Sequence, residues 1–225
     1  MTSMVSEKIG YLSESKLFQD FTPEEMREME QRTTMRTCPP GRVFYRAGDP
    51  GETLYILKEG IVHLYRLAPD GRKLIVATLG KGTIFGEMAL IGQGMHNTFA
   101  EAATDARICI MSRTEVEYLL LNKPQMALRM LAIIGERLRQ TEEQLEQIAF
   151  GSVSSRLANR LLELGGHSRT VEGYTHQELA EMIGTYRETV TATLNDFKAQ
   201  GLIAIGRKHI EILDRPALEA LAVTG

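Results

Sequence analysis

The chain has 225 residues, of which 43% are hydrophobic and 24% are charged, a composition typical of a globular protein with one large domain or two ordinary ones. No apolar run approaches the roughly 20 residues that cross a bilayer, and the N-terminus has no secretory signal, so we expect a cytoplasmic protein without a membrane partner. The net charge of −3 lacks the basic excess typical of nucleic-acid-binding proteins. Cys38 and Cys109 are too few for a disulfide framework or a four-cysteine metal cluster, and we expect both in the core.

The N-terminal half is predicted to form a short helix followed by many short strands. Thr22 is a plausible N-cap for a helix that starts at Pro23. Between about Pro39 and Arg113, apolar residues alternate with a period of two and are separated by Pro-Gly and Asp-Gly turn signals. The alternating positions are Leu54, Ile56, Val62, Leu64, Leu74 and Val76. Strands at this spacing predict an antiparallel barrel or jelly roll.

A long helix is predicted from about Pro124 to Phe150, with a narrow apolar seam. Its seam positions are Ala127, Leu131, Ile134, Leu138, Thr141, Leu145 and Ile148. The steps between them alternate between three and four residues, which is the heptad pattern of a coiled coil. The helix could pack on its own domain, but its other faces are highly charged, and we favour a parallel homodimer.

The C-terminal region, from Gly151 onward, reads as helices followed by a hairpin. Gly151–Ser155 is the predicted hinge, with Ser155 as cap of a helix from Arg156 to Leu164. Thr175 and Glu178 form a capping box, Gly184 supplies a turn, and Thr185 with Glu188 is predicted to form a second capping box. Two capped helices joined at a glycine predict a helix-turn-helix, and the strands 202–205 and 209–212 predict a wing with Arg207 and Lys208 at its tip.

The start of the second helix carries residues suited to reading base edges in the major groove. Arg187 can donate two hydrogen bonds to guanine, and Glu188 can accept one from cytosine. The alternative is an ordinary solvated helix start. The candidate DNA contacts are Thr175, Gln177, Thr185, Tyr186, Arg187, Glu188, Thr189, Thr191, Arg207 and Lys208. From Gly151 onward eight basic residues accompany nine acidic ones, a net charge of −1, so we expect weak binding to random DNA.

This order of parts resembles the cAMP receptor protein/FNR (Crp/Fnr) family of bacterial transcription regulators. The likeness spans nearly the whole chain and includes the Arg187-Glu188-Thr189-Val190 run and the Phe85–Leu90 run FGEMAL, which is similar to the family's phosphate-binding cassette. It implies an α+β fold with a jelly-roll effector domain at 1–123, a dimerisation helix at 124–150 and a winged helix-turn-helix at 151–225. It also implies a homodimer on an inverted-repeat DNA site with TGTGA-like half-sites. Ala192 replaces a base-reading arginine of cAMP-type members.

The resemblance further implies an effector pocket, but with an altered phosphate site. Its members would be Gly86, Glu87, Met88, Ala89, Asn97, Thr98 and Thr141. The glutamate would accept a bond from a ribose hydroxyl, whereas Asn97 stands where the family has a phosphate-binding arginine. Arg72, Lys73 or Arg107 could substitute. A cyclic nucleotide, another small effector, or no effector all stay open.

Two other cofactors are less favoured by the sequence. One is haem bound by His63 or His96. The other is an iron–sulfur cluster, which we do not expect because the N-terminal cysteines of iron–sulfur members of the family are absent. RNA polymerase is the expected protein partner, although the loop 167–173 is shorter than in cAMP-type members, which leaves activation and repression both open. No catalytic motif is present, so we expect no enzyme; a cyclic-nucleotide-binding regulatory module is the alternative class.

Overall fold

The computed structural model describes residues 16–19, 21–87, 90 and 96–223, which belong to two compact units. The first unit comprises Met1–Arg66 and Val76–Leu138, and the second comprises Leu67–Ile75 and Arg139–Gly225. Helices and antiparallel strands occur in both, which confirms the predicted α+β class.

Antiparallel strands dominate the first unit. A 3-10 turn at Lys16–Phe18 precedes helix α1 (Pro23–Arg32). The strands are β1 (Thr34–Cys38), β2 (Val43–Tyr45), β3 (Thr53–Glu59), β4 (Val62–Leu67), β5 (Lys73–Leu79), β6 (Ile84–Phe85), β7 (Phe99–Ala102) and β8 (Ala106–Ser112). They form two four-stranded sheets in the orders β1-β8-β3-β6 and β2-β7-β4-β5, which is the predicted jelly roll. Helices α2 (Arg113–Asn122) and α3 (Pro124–Phe150) follow.

Alternation along the strands builds two separate cores. Leu54 and Ile56 on β3 pack with α1, α2 and the start of α3, whereas Leu57 belongs to the interior between the sheets, together with Val62 and Leu64. Successive side chains of a strand point to opposite faces, so one strand serves both cores. The two cysteines are buried free thiols, one in each core, as predicted.

Helix α3 has the bounds that its sequence pattern predicts. Thr22 caps α1 in a full capping box with Glu25, also as predicted. The seam of α3 is largely uncovered in the single chain: Leu131, Leu138 and Leu145 are 64%, 57% and 65% exposed. In the part of the chain that the structure describes, no helix is both long enough and apolar enough to span a membrane.

The second unit contains helices and a small sheet. Its elements are α4 (Val153–Gly165), β9 (Thr170–Glu172), α5 (His176–Ile183), α6 (Arg187–Ala199), β10 (Ile203–Gly206), β11 (His209–Ile212) and α7 (Arg215–Val223). The sheet order β10-β11-β9 shows that the loop 167–173 contributes a strand beside the predicted wing.

One predicted cap in this unit is wrong. Ser155 does not cap α4, because the side chain of Ser152 accepts the bond from the backbone N–H of Ser155. Ser155 is instead a buried residue in the first turn, and its hydroxyl donates to the carbonyl of Ala222. The helix therefore begins three residues earlier than predicted.

Candidate DNA interface and effector pocket

The turn between α5 and α6 is fixed by a cap and a glycine. The hydroxyl of Thr175 accepts from the N–H of Glu178, and the carboxylate of Glu178 accepts from the N–H of Thr175 at 2.7 Å. Gly184 ends α5 at φ 68° and ψ 44°, in the left-handed region that an L side chain rarely adopts. This local chemistry sets the direction in which α6 leaves the turn.

The second predicted capping box is wrong. Tyr186, not Thr185, is the N-cap of α6, and no side chain caps that helix. The N–H of Thr185 bonds to the carbonyl of Ala180, so Thr185 belongs to the turn that closes α5. The first turn of α6 thus presents N–H groups without a side-chain cap beside the exposed Glu188.

One face of α6 forms an open concave surface of about 440 Å³, lined by Arg187, Glu188, Thr191, Ala192 and Asn195. We call it the α6 groove face. Arg187 and Glu188 are exposed, as base reading requires. Asn195 was missed in the sequence reading, although its position seven residues after Glu188 places it on the same helix face. Its side-chain amide can form two hydrogen bonds with an adenine base, at N6 and N7.

Several of the other candidate DNA contacts are held within the protein. The hydroxyl of Thr191 donates to the carbonyl of Arg187 at 2.9 Å and lies 2.8 Å from Nδ1 of His176, a bond that joins α5 to α6. Gln177 donates to Glu181 at 2.9 Å. Thr189 is half-buried, and its carbonyl accepts from Thr193.

The tip of the wing carries two exposed cations. Arg207 and Lys208 form the turn between β10 and β11, where Lys208 adopts φ 52°. The carbonyl of Lys208 accepts from the N–H of Gly173, which ties the tip to the end of β9. The backbone of the tip is therefore held in place by a hydrogen bond, while the side chains of Arg207 and Lys208 face solvent.

The jelly roll buries a carboxylate at the position of the predicted effector pocket. Gly86 takes φ 89°, and a Cβ there would lie 2.6 Å from the carbonyl oxygen of Thr53, so only glycine fits. Glu87 follows and is 2% exposed. Burial raises the pKa of its carboxyl, while the nearby charge of Arg137 acts in the opposite direction.

Arg137, which the sequence reading missed as a pocket residue, is the partner of that carboxylate. Its guanidinium donates to Oε1 of Glu87 and, at 2.6 Å, to the carbonyl of Ile84. Oε2 of Glu87 is buried and has no hydrogen-bond partner within the described residues. The signal in the sequence was weak: Arg137 is a charged residue next to Leu138 of the seam, one turn before Thr141.

An aromatic stack adjoins this ion pair. The ring of His96 lies flat on that of Tyr45, with centroids 3.5 Å apart. Burial and the charge of Glu87 raise the pKa of the Tyr45 hydroxyl, which hydrogen-bonds to Thr98. Burial lowers the pKa of His96. Tyr45 and Thr98 are therefore hydrogen-bonded to each other within range of the charge of Glu87.

The remaining predicted pocket residues are placed unevenly. Asn97 and Thr141 are exposed, Thr98 is half-buried, and Met88 and Ala89 lie outside the described residues. Of the three candidate replacement cations, Arg107 pairs with Glu59 at 3.5 Å. Arg72 and Lys73 contact Tyr186 and Glu181 instead. Among the residues described, no group of three or more His, Cys, Asp or Glu side chains could hold a metal ion.

Family models match both parts of the chain. A cyclic nucleotide-binding domain matches residues 35–123, and a Crp-like helix-turn-helix domain matches residues 155–221. The CRP-like cAMP-activated global transcriptional regulator of Mycobacterium tuberculosis is 30% identical over 215 residues, covering 92% of this chain and 96% of that protein. The chain belongs to the Crp/Fnr family of transcription regulators. Its members are regulators of transcription and not enzymes.

Other Crp/Fnr proteins extend the comparison. The global nitrogen regulator of Synechococcus elongatus is 32% identical over 189 residues, covering 79% of this chain and 85% of that protein. The crystal structure of a CRP/FNR-family regulator from Thermus thermophilus is 30% identical with a TM-score of 0.72, and covers 84% of this chain and 98% of that one. The same two-part architecture is thus present in regulators whose names refer to different signals.

The ion pair leads to a pH prediction. In Arg137→Met the carboxylate of Glu87 loses its partner, so the pKa of Glu87 should rise further. A raised pKa stabilises the fold at low pH, and that stability is lost as the pH rises through the folded-state pKa. We expect a loss of about 3–5 kcal/mol in the free energy of unfolding at pH 8 and a smaller loss at pH 5, measured by urea unfolding.

The double variant Glu87→Gln/Arg137→Met is the control for this measurement. It removes the titrating group, so its loss relative to wild type should not grow from pH 5 to pH 8, in contrast to that of Arg137→Met. An equal loss at pH 5 and pH 8 for Arg137→Met alone would contradict the assigned pair.

Proposed function

We propose that the chain is a homodimeric, sequence-specific DNA-binding regulator of transcription that binds an inverted-repeat duplex. The observation that carries the proposal is the α6 groove face, where Arg187 and Glu188 are both exposed at the start of the second helix of the helix-turn-helix. In such motifs the N-terminal residues of the second helix contact base edges. The cations at the wing tip, Arg207 and Lys208, would contact phosphates, which position the helix.

The dimer is supported by the exposed seam of α3. Large leucines at a/d spacing are costly in water, and monomeric proteins rarely expose long apolar stripes. A parallel pair of α3 helices would cover these side chains and hold two recognition helices about one DNA turn apart. The proposed division is 1–123 for the effector domain, 124–150 for the dimerisation helix and 151–225 for the DNA-binding domain.

A small effector in the jelly roll is the proposed signal. Oε2 of Glu87 is a buried acceptor without a partner among the described residues, which costs about 1–3 kcal/mol and which a ligand hydroxyl would satisfy. The family model and the cAMP-activated relative favour a cyclic nucleotide. Asn97 is uncharged and cannot neutralise the phosphate of such a ligand. The nearby cation is Arg137, which donates a hydrogen bond to the carboxylate of Glu87.

Two other assignments are weaker. An effector-independent regulator is the alternative, since Arg137 already compensates Glu87. Haem ligation has little support, because His96 is stacked on Tyr45. We place the protein in the cytoplasm, where bacterial DNA and RNA polymerase, its proposed protein partner, are found.

The first test concerns base reading. Arg187→Ala should weaken binding to a duplex selected by the wild-type chain by about 1–3 kcal/mol, with a smaller loss on a scrambled duplex, because a base contact is lost. Fluorescence anisotropy measures both. Arg169→Ala, another exposed arginine of the same unit, is the control. Equal losses on the two duplexes would remove Arg187 from base reading.

The second test concerns the dimer. Leu138→Glu places a charge in the proposed seam and should convert the dimer to monomer in sedimentation velocity runs, with a large loss of DNA affinity. Gln140→Glu adds the same charge at an exposed position outside the seam and should leave the dimer intact. If Leu138→Glu remains dimeric, α3 is not the dimer interface.

The third test concerns the effector. Calorimetry with cAMP as probe should show binding to wild type, weakened about tenfold or more in Glu87→Gln because a charged acceptor is lost. Glu59→Gln, which alters another ion-paired glutamate of the same unit, should bind as wild type does. If the affinity of the protein for its DNA site is the same with and without cAMP and other cyclic nucleotides, the effector-independent alternative is favoured.

A further inference from the structure

A hairpin from the β4–β5 connection belongs to the same compact unit as the helix-turn-helix. This hairpin, Leu67–Ile75, is held by contacts of its last three residues. The ammonium of Lys73 lies 3.9 Å from the carboxylate of Glu181. Leu74 packs against Gly184, so closely that a Cβ added to this glycine would lie 3.2 Å from Cδ1 of Leu74. Gln144 donates to the carbonyl of Ile75 at 3.0 Å. The hairpin is therefore anchored beside the turn between α5 and α6.

Arg72 projects from this hairpin to the start of the recognition helix. Its guanidinium carbon lies 4.7 Å from the ring centroid of Tyr186, the N-cap of α6. Its Nε donates to Asp70 at 2.7 Å, which orients the planar group. Because that bond uses Nε, the two terminal nitrogens can turn toward another acceptor. The side chain is 46% exposed.

The hairpin lies beside the α6 groove face and leaves it open. Arg187, Glu188 and Asn195 are exposed, and they line the concave surface together with Thr191 and Ala192. When the start of α6 enters a major groove about 12 Å wide, the phosphate backbones form the walls of that groove. A guanidinium next to the N-cap residue is then placed at one of these walls.

The charge distribution gives an independent reason for a contact there. The region from Gly151 onward carries a net charge of −1, although DNA binding depends strongly on cations that neutralise phosphates. The hairpin adds Arg72 and Lys73 against one carboxylate, that of Asp70. It therefore brings a cation from outside the helix-turn-helix sequence to the start of the recognition helix.

We propose that the Leu67–Ile75 hairpin is a further DNA-contacting element, in which Arg72 binds a backbone phosphate beside each half-site. Lys73, Leu74 and Ile75 anchor the hairpin, and Asp70 orients the guanidinium. The contact adds affinity without reading sequence, since phosphates are common to all sites. This inference rests on the proposed DNA-binding function.

The test is the salt dependence of binding by the full-length chain. Affinity for a duplex selected by the wild type, and for a scrambled duplex of equal length, is measured by anisotropy from about 50 to about 300 mM KCl, a range that brackets physiological ionic strength. The slope of log K against log salt is negative, and Arg72→Ala should reduce its magnitude by about 0.9 per lost phosphate contact, so by about 1.8 for a dimer. The fold-loss should be similar on both duplexes.

Two further variants separate this role from a structural one. Arg72→Lys keeps the charge and should keep most of the slope. Arg32→Ala removes an arginine of the first unit that has the same two interactions, an ion pair with Glu28 and a position over the ring of Tyr118, and should leave the slope unchanged. Circular dichroism checks that each variant is folded.

The outcomes distinguish this inference from the function on which it rests. An unchanged slope in Arg72→Ala, or a slope lost equally in Arg72→Lys, would overturn the phosphate contact. Tighter binding by Arg72→Ala would also overturn it and would mean that the hairpin restrains the recognition helix. If the wild type itself selects no duplex, the proposed function fails, whatever the variants show.

Discussion

The ion pair between the buried carboxylate of Glu87 and Arg137 places a strong constraint on the jelly roll. A carboxylate that is 2% exposed must be compensated by a cation or a dense set of donors. Arg137 meets that requirement from α3 and also bonds the carbonyl of Ile84 at the start of the short strand β6. The long helix is thereby tied to the segment around Gly86. Any ligand that bonds to the remaining oxygen of Glu87 would act on the same pair.

Helix α3 has a different role on each of its faces. The apolar residues that face inward on α3, such as Met126 and Met130, complete the core beneath α1 and α2. The leucines on its other side are left exposed. One helix thus supplies a core face, a cation for the buried carboxylate and the exposed seam of the proposed dimer, so a substitution on one of these surfaces can also affect the other two.

The absence of a basic excess has a structural counterpart. In the proposed interface, α6 offers a few exposed groups, Arg187 and Glu188 above all, and the wing tip adds two exposed cations. We expect such an interface to have little attraction for random duplexes, so that its affinity would depend on base contacts and on the doubling of sites in the proposed dimer. Arg72, anchored beside Tyr186, is the cation that a count along the C-terminal region alone overlooks.

Features that depend on short-range chemistry could be predicted from the order of the residues alone. The cap at Thr22, the capping box of Thr175 with Glu178, the left-handed turn at Gly184 and both ends of α3 were predictable, because each rests on residues a few positions apart. Two caps lie elsewhere than predicted: Ser152 and Tyr186 occupy the positions expected for Ser155 and Thr185, because a serine or threonine near a helix start fits several registers. The contacts between distant segments, in contrast, are known only from the folded chain. Arg137 meets Glu87 across 50 residues, and Arg72 reaches Tyr186 across a still longer stretch. Such pairs follow from how sheets and helices pack, and no local pattern encodes which charge will compensate which.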